Sequence, residues 1–582
     1  MYDVKIVGGA LVDGTGAASR RADIGIKDGK IVAVGDAPDQ ATRTLDADGH
    51  TITPGFVDVH THYDGQASWD ADLAPSCFHG VTTAVMGSCG VGFAPVRPEH
   101  HDKLVELMEG VEDIPGSALA EGLTWEWETF SEYMDALDRV GHVMDVGCQV
   151  PHDVLRVYVM GERAFAGSDA TDDDIAKMRA VIEDALDAGA VGLTTGRSDN
   201  HRSAVGDYTP ASEATLAELT GIAKAFQGRN KGVLQAVSDF DHHLGSDKFD
   251  HEFDLIEAMH EATGGRPLSV SLMQRDAVPG QYKRILKRME AIAAKGRTAR
   301  VQVAPRPIGV ILGFETTFHP FMGFPGYKEV HHLPLAERVK ALQDPERRTR
   351  ILSERSEPVA GDGSMLPKLA DDLLAQVDML SMRMFRLGDP PDYEPKFEDS
   401  LFAEAQRKGI KPLAAIYDAL LEDAGKALLY FPLYNYTAMS LDAVREMLTH
   451  PLAIPGLSDG GAHVGTICDA SFPSFLLSYW GRDRPKGRIP LETLVEMQTG
   501  RTAKHLGLDD RGVIAVGKKA DVNVIDMSRL SLGRPTLTPD LPAGGKRLLQ
   551  GASGYRYTLV SGQVVLENDA LTGTRAGKVV RL

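Results

Sequence analysis

Pro54-Gly55-Phe56-Val57-Asp58-Val59-His60-Thr61-His62, followed by Tyr63-Asp64, is the stretch whose reading decides the fold. A Pro-Gly turn signal leads into a short apolar run, and the run ends in two histidines one residue apart. In an extended strand alternate side chains share a face, so His60 and His62 project together. Two imidazoles converging at the end of a buried strand make half of a metal site. A chain with 19 histidines also allows His-x-His by chance, so the remaining residues have to complete the site.

Outward from this stretch, apolar strands alternate with helical segments. Val81 to Met86 is a buried-strand run ending at Gly87-Ser88-Cys89-Gly90. Asp172 to Asp187 has helical periodicity with an acidic first turn, and a strand and then a loop follow over Ala190 to Gly196. A helix is expected from Thr209-Pro210-Ala211-Ser212-Glu213, then a strand at Val233 to Val237. Helices near Glu252 to Ala262 and Tyr282 to Ala294 precede strands at Leu268 to Leu272 and Val301 to Ala304. Leu452 to Asp459 is a last apolar strand ending in a carboxylate. Strands alternating with helices argue for a parallel sheet, and the number of units favours a closed (β/α)8 barrel over an open doubly wound sheet. Functional residues of such barrels sit at the C-terminal ends of strands, as His60, His62, Cys89 and Asp459 do here.

Both ends of the chain read differently. Residues 2–50 are short strands split by Gly-Gly and Asp-Gly turns, and residues 520–565 repeat that grammar. Neither end has enough strands for a stable unit. Pairing them into one small β-sandwich (residues 1–53 with 506–582) solves this; two separate decorations are the duller alternative. Residues 305–395 break the barrel rhythm with an apolar, aromatic insertion, in which Ile308 to Tyr327 is irregular and glycine-rich. So long an interruption reads as a lid or binding wall, or in its first third as a buried barrel strand with its connection.

Composition bounds the function. A formal charge of −20 argues against nucleic acid and anionic membranes as partners. No run is apolar enough to cross a bilayer, and the first residues show no signal-peptide pattern. Four cysteines (Cys77, Cys89, Cys148, Cys468) in so long a chain suggest no disulfide framework. A cytoplasmic protein with a small-molecule partner is expected; a homo-oligomer is left open.

The segments PGFVDVHTHYD, GVTTAVMGSCGVGFAPV, GLSDGGAHVG and RGVIAVGKKADVNVID together resemble the amidohydrolase superfamily, and within it the D-aminoacylase (N-acyl-D-amino-acid deacylase) branch. The resemblance spans nearly the whole chain and is strongest at residues 54–97 and 456–526. It implies a distorted (β/α)8 TIM barrel with a terminal β-sandwich, residues 54–505 forming a metal-dependent hydrolase barrel, and one or two Zn2+ or other divalent ions. It implies His60, His62, Cys89 and Asp459 as metal ligands, Asp459 also carrying the proton. Cys89 read by itself is equally a buried structural cysteine.

The chain also departs from that pattern. Strands 5 and 6 of the branch end in metal-binding histidines, where an ungapped comparison puts Val237 and Leu272. His201, His242, His243 or His463 are the candidates to replace them. The basic residues that hold a substrate carboxylate are missing too, since Gln274 stands at the lysine position and Val464-Gly465 follows His463. Arg197, Arg202, Arg275 or Arg306 would have to serve, while Phe318 and its aromatic neighbours suit an apolar acyl or aryl group. The expected activity is hydrolysis of a linear N-acyl amide, with His463, Gln274, Arg197, His201 and Phe318 around the substrate. The rivals are a cyclic amide, imide or lactone hydrolase, and a barrel reduced to a binding protein.

Overall fold

A computed structural model describes residues 1–198, 200–240, 248–360 and 368–582. Eight parallel strands stand side by side in chain order: β1 (Phe56–Asp58), β2 (Val81–Met86), β3 (Asp145–Pro151), β4 (Gly192–Arg197), β5 (Val233–Ser238), β6 (Leu268–Leu272), β7 (Ala299–Val303) and β8 (Ala453–Pro455). Between β1 and β8 the ring is closed by one parallel bridge, Thr61 to Gly460. This is the expected α/β barrel. The helices Asp172–Asp187, Phe249–Ala262 and Gln281–Ala294 lie where their apolar periodicity puts them. Thr171 caps the first of these in a reciprocal capping box with Asp174. The helix expected from Thr209 starts later, at Leu216, behind a Thr215 cap that accepts from Glu218 N.

The barrel interior is layered. Val57, Val59, Val85, Val191, Val233 and Ile454 pack with Ala503 and Leu506 of the helix Gly500–Leu506. Two residues further along β5 the lining turns polar at Gln235. The two chain termini combine into one nine-stranded sheet, joined where Thr51–Pro54 pairs antiparallel with Val522–Ile525. Its core includes Ile6, Leu11, Ile24, Ile52, Val524 and Leu559.

The insertion after β7 has its own core, in which Phe314, Phe318, Phe321 and Phe324 pack with Ile416, Tyr417 and Phe431. Gly309–Leu312, Phe385–Arg386 and Leu429–Pro432 form a three-stranded antiparallel sheet inside it. The first third of the section is therefore not a barrel strand, and the excursion runs on past residue 395. Among the described residues no helix is long and apolar enough to cross a membrane.

The chain's last residues leave the terminal sheet and return to the barrel. Val579–Val580 pairs parallel with β3, Lys578 N donates to Asp145 Oδ1 at 2.9 Å, and Gly577 N to His142 O at 2.8 Å. Deleting residues 577–582 removes these bonds and two buried valines, which is expected to cost about 3 kcal/mol or more. The readout is the thermal unfolding midpoint, and an unchanged midpoint would show the last strand to be ornamental.

Candidate metal centre

The barrel's seam carries the site. Thr61 N donates to Val85 O of β2 at 2.9 Å, while His62 N donates to Gly460 O at 2.7 Å. With Thr61 held between its neighbours, the imidazoles of His60 and His62 come together with ring centroids 5.4 Å apart, edge to face. Asp459, just before Gly460, is held at φ +48°. Its Oδ1 lies 3.3 Å from His60 Nε2 and 3.7 Å from His62 Nε2, buried and without a hydrogen-bond partner.

Cys89 comes from the loop after β2. Gly87 N donates to Asp64 Oδ2 at 3.0 Å, and Gly90 N to Thr194 Oγ1 at 3.0 Å. Thr194 in turn donates to Gly87 O, so one hydroxyl of β4 ties both ends of the loop. Gly196 is forced by this packing, because a Cβ there would stand 2.0 Å from the Cys89 carbonyl oxygen. Cys89 itself adopts a left-handed φ of +57° and brings Sγ to 3.2 Å from His60 Nε2. One ligand atom each from His60, His62 and Cys89 all lie within 4.8 Å of one another.

These spacings suit a metal. Donors about 2.0–2.3 Å from a tetrahedral zinc lie about 3.3–3.8 Å from each other; His60 Nε2 has Cys89 Sγ at 3.2 Å and Asp459 Oδ1 at 3.3 Å, and His62 Nε2 has Asp459 Oδ1 at 3.7 Å. The electrostatics agree. Burial pushes the Cys89 thiol up, but the His60 and His62 imidazoles outweigh it and bring the thiol below its usual range. Burial opposes the charged form of His60 too, yet Cys89 and Asp459 raise it above the ordinary histidine value. A thiolate, two imidazoles and a carboxylate with a free oxygen form a donor set that zinc favours.

Each imidazole is also held from behind. His60 Nδ1 faces Gln302 Oε1 at 2.7 Å, which leaves Nε2 to point into the site. Gln302 belongs to a buried amide chain in which Gln149 Nε2 donates to Gln235 Oε1, Gln235 Nε2 to Gln302 Oε1, and Gln302 Nε2 to Ser269 Oγ at 3.0 Å. His62 Nδ1 lies 3.0 Å from Oε1 of Glu112, a fully buried carboxylate at the end of the helix His101–Glu112. Sequence reasoning missed all three partners. Gln235 and Gln302 were readable as single polar residues inside apolar strands; Glu112, at the end of an ordinary amphipathic helix, carried no signal.

The other candidates divide. His201 and His463 belong to the site's electrostatic surroundings: both act on the Glu112 carboxylate, and burial pushes His201 down to about 4. Gln274 is buried just past β6, its Oε1 without a partner. Arg197 is not open to a substrate, because Glu252 takes its guanidinium at 2.8 and 3.2 Å and Ala214 O accepts from it at 2.9 Å. Arg275 is bound to Gln281 Oε1 and Ser238 O, and Arg306 to Asp469 at 2.9 Å. Arg202 stacks over Tyr208. Phe318 lies in the insertion's own core, lining a small apolar pocket with Leu312, Met384 and Phe431. His242 and His243 lie outside the described residues.

Of the two positions compared with the lost histidines, only one faces inward. Val237 follows Gln235 on the inner face of β5. On β6, Ser269 reaches Gln302 inside, so Ser271 also points in and the buried Leu272 points out of the barrel. The inward position at the top of β6 is Ser271.

The amidohydrolase family model matches residues 43–566, so the chain belongs to the amidohydrolase family. A D-aminoacylase of Alcaligenes xylosoxydans xylosoxydans is 27% identical over 100% of this chain and 97% of its own length. An N-acyl-D-aspartate deacylase of the same organism is 26% identical over 99% of this chain and 95% of its own. Among solved structures, an N-acyl-D-glutamate deacylase from Bordetella bronchiseptica, complexed with zinc and a phosphonate inhibitor, superposes with a TM-score of 0.64 at 23% identity, over 100% of both chains. The kinship expected from the motifs is borne out.

Arg197 and Glu252 provide a test of the reassigned arginine. Replacing Arg197 with Ala leaves a largely buried carboxylate unpaired, which costs about 3–5 kcal/mol. Urea unfolding should show this loss; full stability with a raised KM for a carboxylate-bearing substrate would restore Arg197 to the substrate site.

Proposed function

We propose that this chain is a mononuclear zinc amidohydrolase that cleaves a linear N-acyl amide. The observation that carries the reading is the grouping of one ligand atom each from His60, His62 and Cys89 within 4.8 Å of one another, with Asp459 Oδ1 at 3.3 Å from His60 Nε2 and 3.7 Å from His62 Nε2. His60, His62 and Cys89 would hold the ion, with Asp459 beside them as the carboxylate donor. When bound, zinc supplies Lewis acidity for the acyl carbonyl and makes water nucleophilic near neutral pH.

The chain's own groups do the rest. His60 and His62 are fixed by Gln302 and Glu112, so both present Nε2 inward. With Oδ1 turned to the two imidazoles, Asp459 would use its other carboxylate oxygen to accept the proton of the attacking water and to deliver it to the departing nitrogen. His201, kept neutral by burial, and His463 stand nearby as hydrogen-bonding groups for the substrate. The inward positions at the tops of β5 and β6 are Val237 and Ser271, neither of them a ligand, and the amide chain from Gln149 to Ser269 fills the barrel beneath them, which favours one ion over two. The N-acyl compounds named in the relatives' activities support an N-acyl substrate. Four free, buried cysteines fit a reducing compartment such as the cytoplasm.

Elemental analysis of the purified chain should find one zinc per chain, and His60→Ala should lose it. Asp459→Asn should lower kcat at least about 100-fold on an N-acyl amide. A panel of N-acyl-D-amino acids, N-acyl amines, hydantoins and lactones defines the class. Metal-free protein, an active Asp459→Asn, or turnover of ring substrates alone would overturn the reading.

A further inference from the structure

We propose that Glu112 is a positioning residue for His62, holding the imidazole on the ion through a carboxylate–imidazole contact. The inference rests on the zinc reading above and adds to it a residue outside the ligand set.

Glu112 is costly where it stands. It is 1% exposed and ends the helix His101–Glu112, where the helix dipole disfavours negative charge. Neither carboxylate oxygen has an aligned hydrogen-bond donor, and the neighbour at ion-pair distance is His62 Nδ1, 3.0 Å from Oε1. A buried, unsolvated carboxylate survives folding when a positive charge faces it. His62 seated on a cation meets that need, since a ligating imidazole commonly gives its other N–H to a carboxylate.

Asp113, the next residue, shows what a purely structural acid looks like at the same spot. Its carboxylate accepts from Thr317 Oγ1 at 2.8 Å, Thr466 Oγ1 at 3.0 Å and Gly465 N at 3.1 Å. It therefore ties the insertion and the loop beyond His463 to the end of the helix. The helix is also fixed from the side of the loop after β4: a Cβ on Gly110 would stand 2.2 Å from Ser203 C and 2.3 Å from Ala204 N. Glu112 thus sits on a rigid support with Oε1 3.0 Å from Nδ1 of one ligand. His60, by contrast, has the neutral amide of Gln302 behind it.

The test compares Glu112→Gln and Glu112→Asp with the unaltered chain. Zinc affinity, measured by competition with a chromophoric chelator, should fall about 10- to 100-fold in Glu112→Gln. The loss in turnover should appear in kcat with KM nearly unchanged, and Glu112→Asp should recover part of both. A merely structural glutamate would lower the melting temperature of the zinc-free protein while leaving the zinc affinity of the folded variant unaltered. Unaltered zinc affinity in folded Glu112→Gln, or in Glu112→Asp should Glu112→Gln fail to fold, would overturn the inference. If the unaltered chain itself bound no zinc, the zinc reading would fall, and this inference with it.

Discussion

The closure of the barrel at Thr61 and Gly460 is the contact on which the site depends. Strands β1 and β8 are short, and their ends are joined by the Thr61–Gly460 bridge and the 2.7 Å bond from His62 N to Gly460 O. Because that bond lies between the two histidines and next to Asp459, closing the ring is the same event as assembling the donors. The backbone is adapted to it. A Cβ on Gly460 would meet Tyr63 Oη at 2.8 Å and Ser76 Oγ at 2.9 Å, so the seam tolerates no side chain there. Leu457, Asp459 and His463 all take positive φ values, conformations that cost energy and persist where surrounding contacts enforce them. Ser458 adds to the enforcement by donating to Asp58 Oδ2 at 2.6 Å across the seam.

The polar lining above the apolar barrel floor explains how a buried centre keeps its geometry. Amide side chains inside a barrel are tolerable when their donors and acceptors are matched. Gln149, Gln235, Gln302 and Ser269 match one another in a chain that ends on His60 Nδ1. The imidazole is thereby locked in ring orientation by groups from four other strands. His62 has a different backing, a single carboxylate delivered by a helix. The two ligands of one His-x-His motif are thus held by unlike means, one neutral and distributed, the other charged and local.

The insertion after β7 is a second folding unit grafted onto the barrel. Its aromatic residues pack on one another, so Phe318 contributes first to that core. Its link to the site runs through polar contacts, chiefly Thr317 on Asp113.

Much of this was legible in the residues. Periodicity and turn signals determine the alternating strands and helices, the pairing of the two termini, and the positions of His60, His62, Cys89 and Asp459 at strand ends, because these follow from local rules with periods of two and 3.6 residues. The direction of a side chain at the top of a strand was not legible where the strand's phase was uncertain, which is why Leu272 stood in for Ser271. Nor was the partner of a charge: Arg197 meets Glu252 55 positions away, and Glu112 meets His62 50 positions away. Sequence alone determined which residue types this chain could offer to a metal. Only the tertiary structure decided which of them meet, because closing the barrel at Gly460 and seating one helix end behind His62 depend on contacts between residues far apart in the chain.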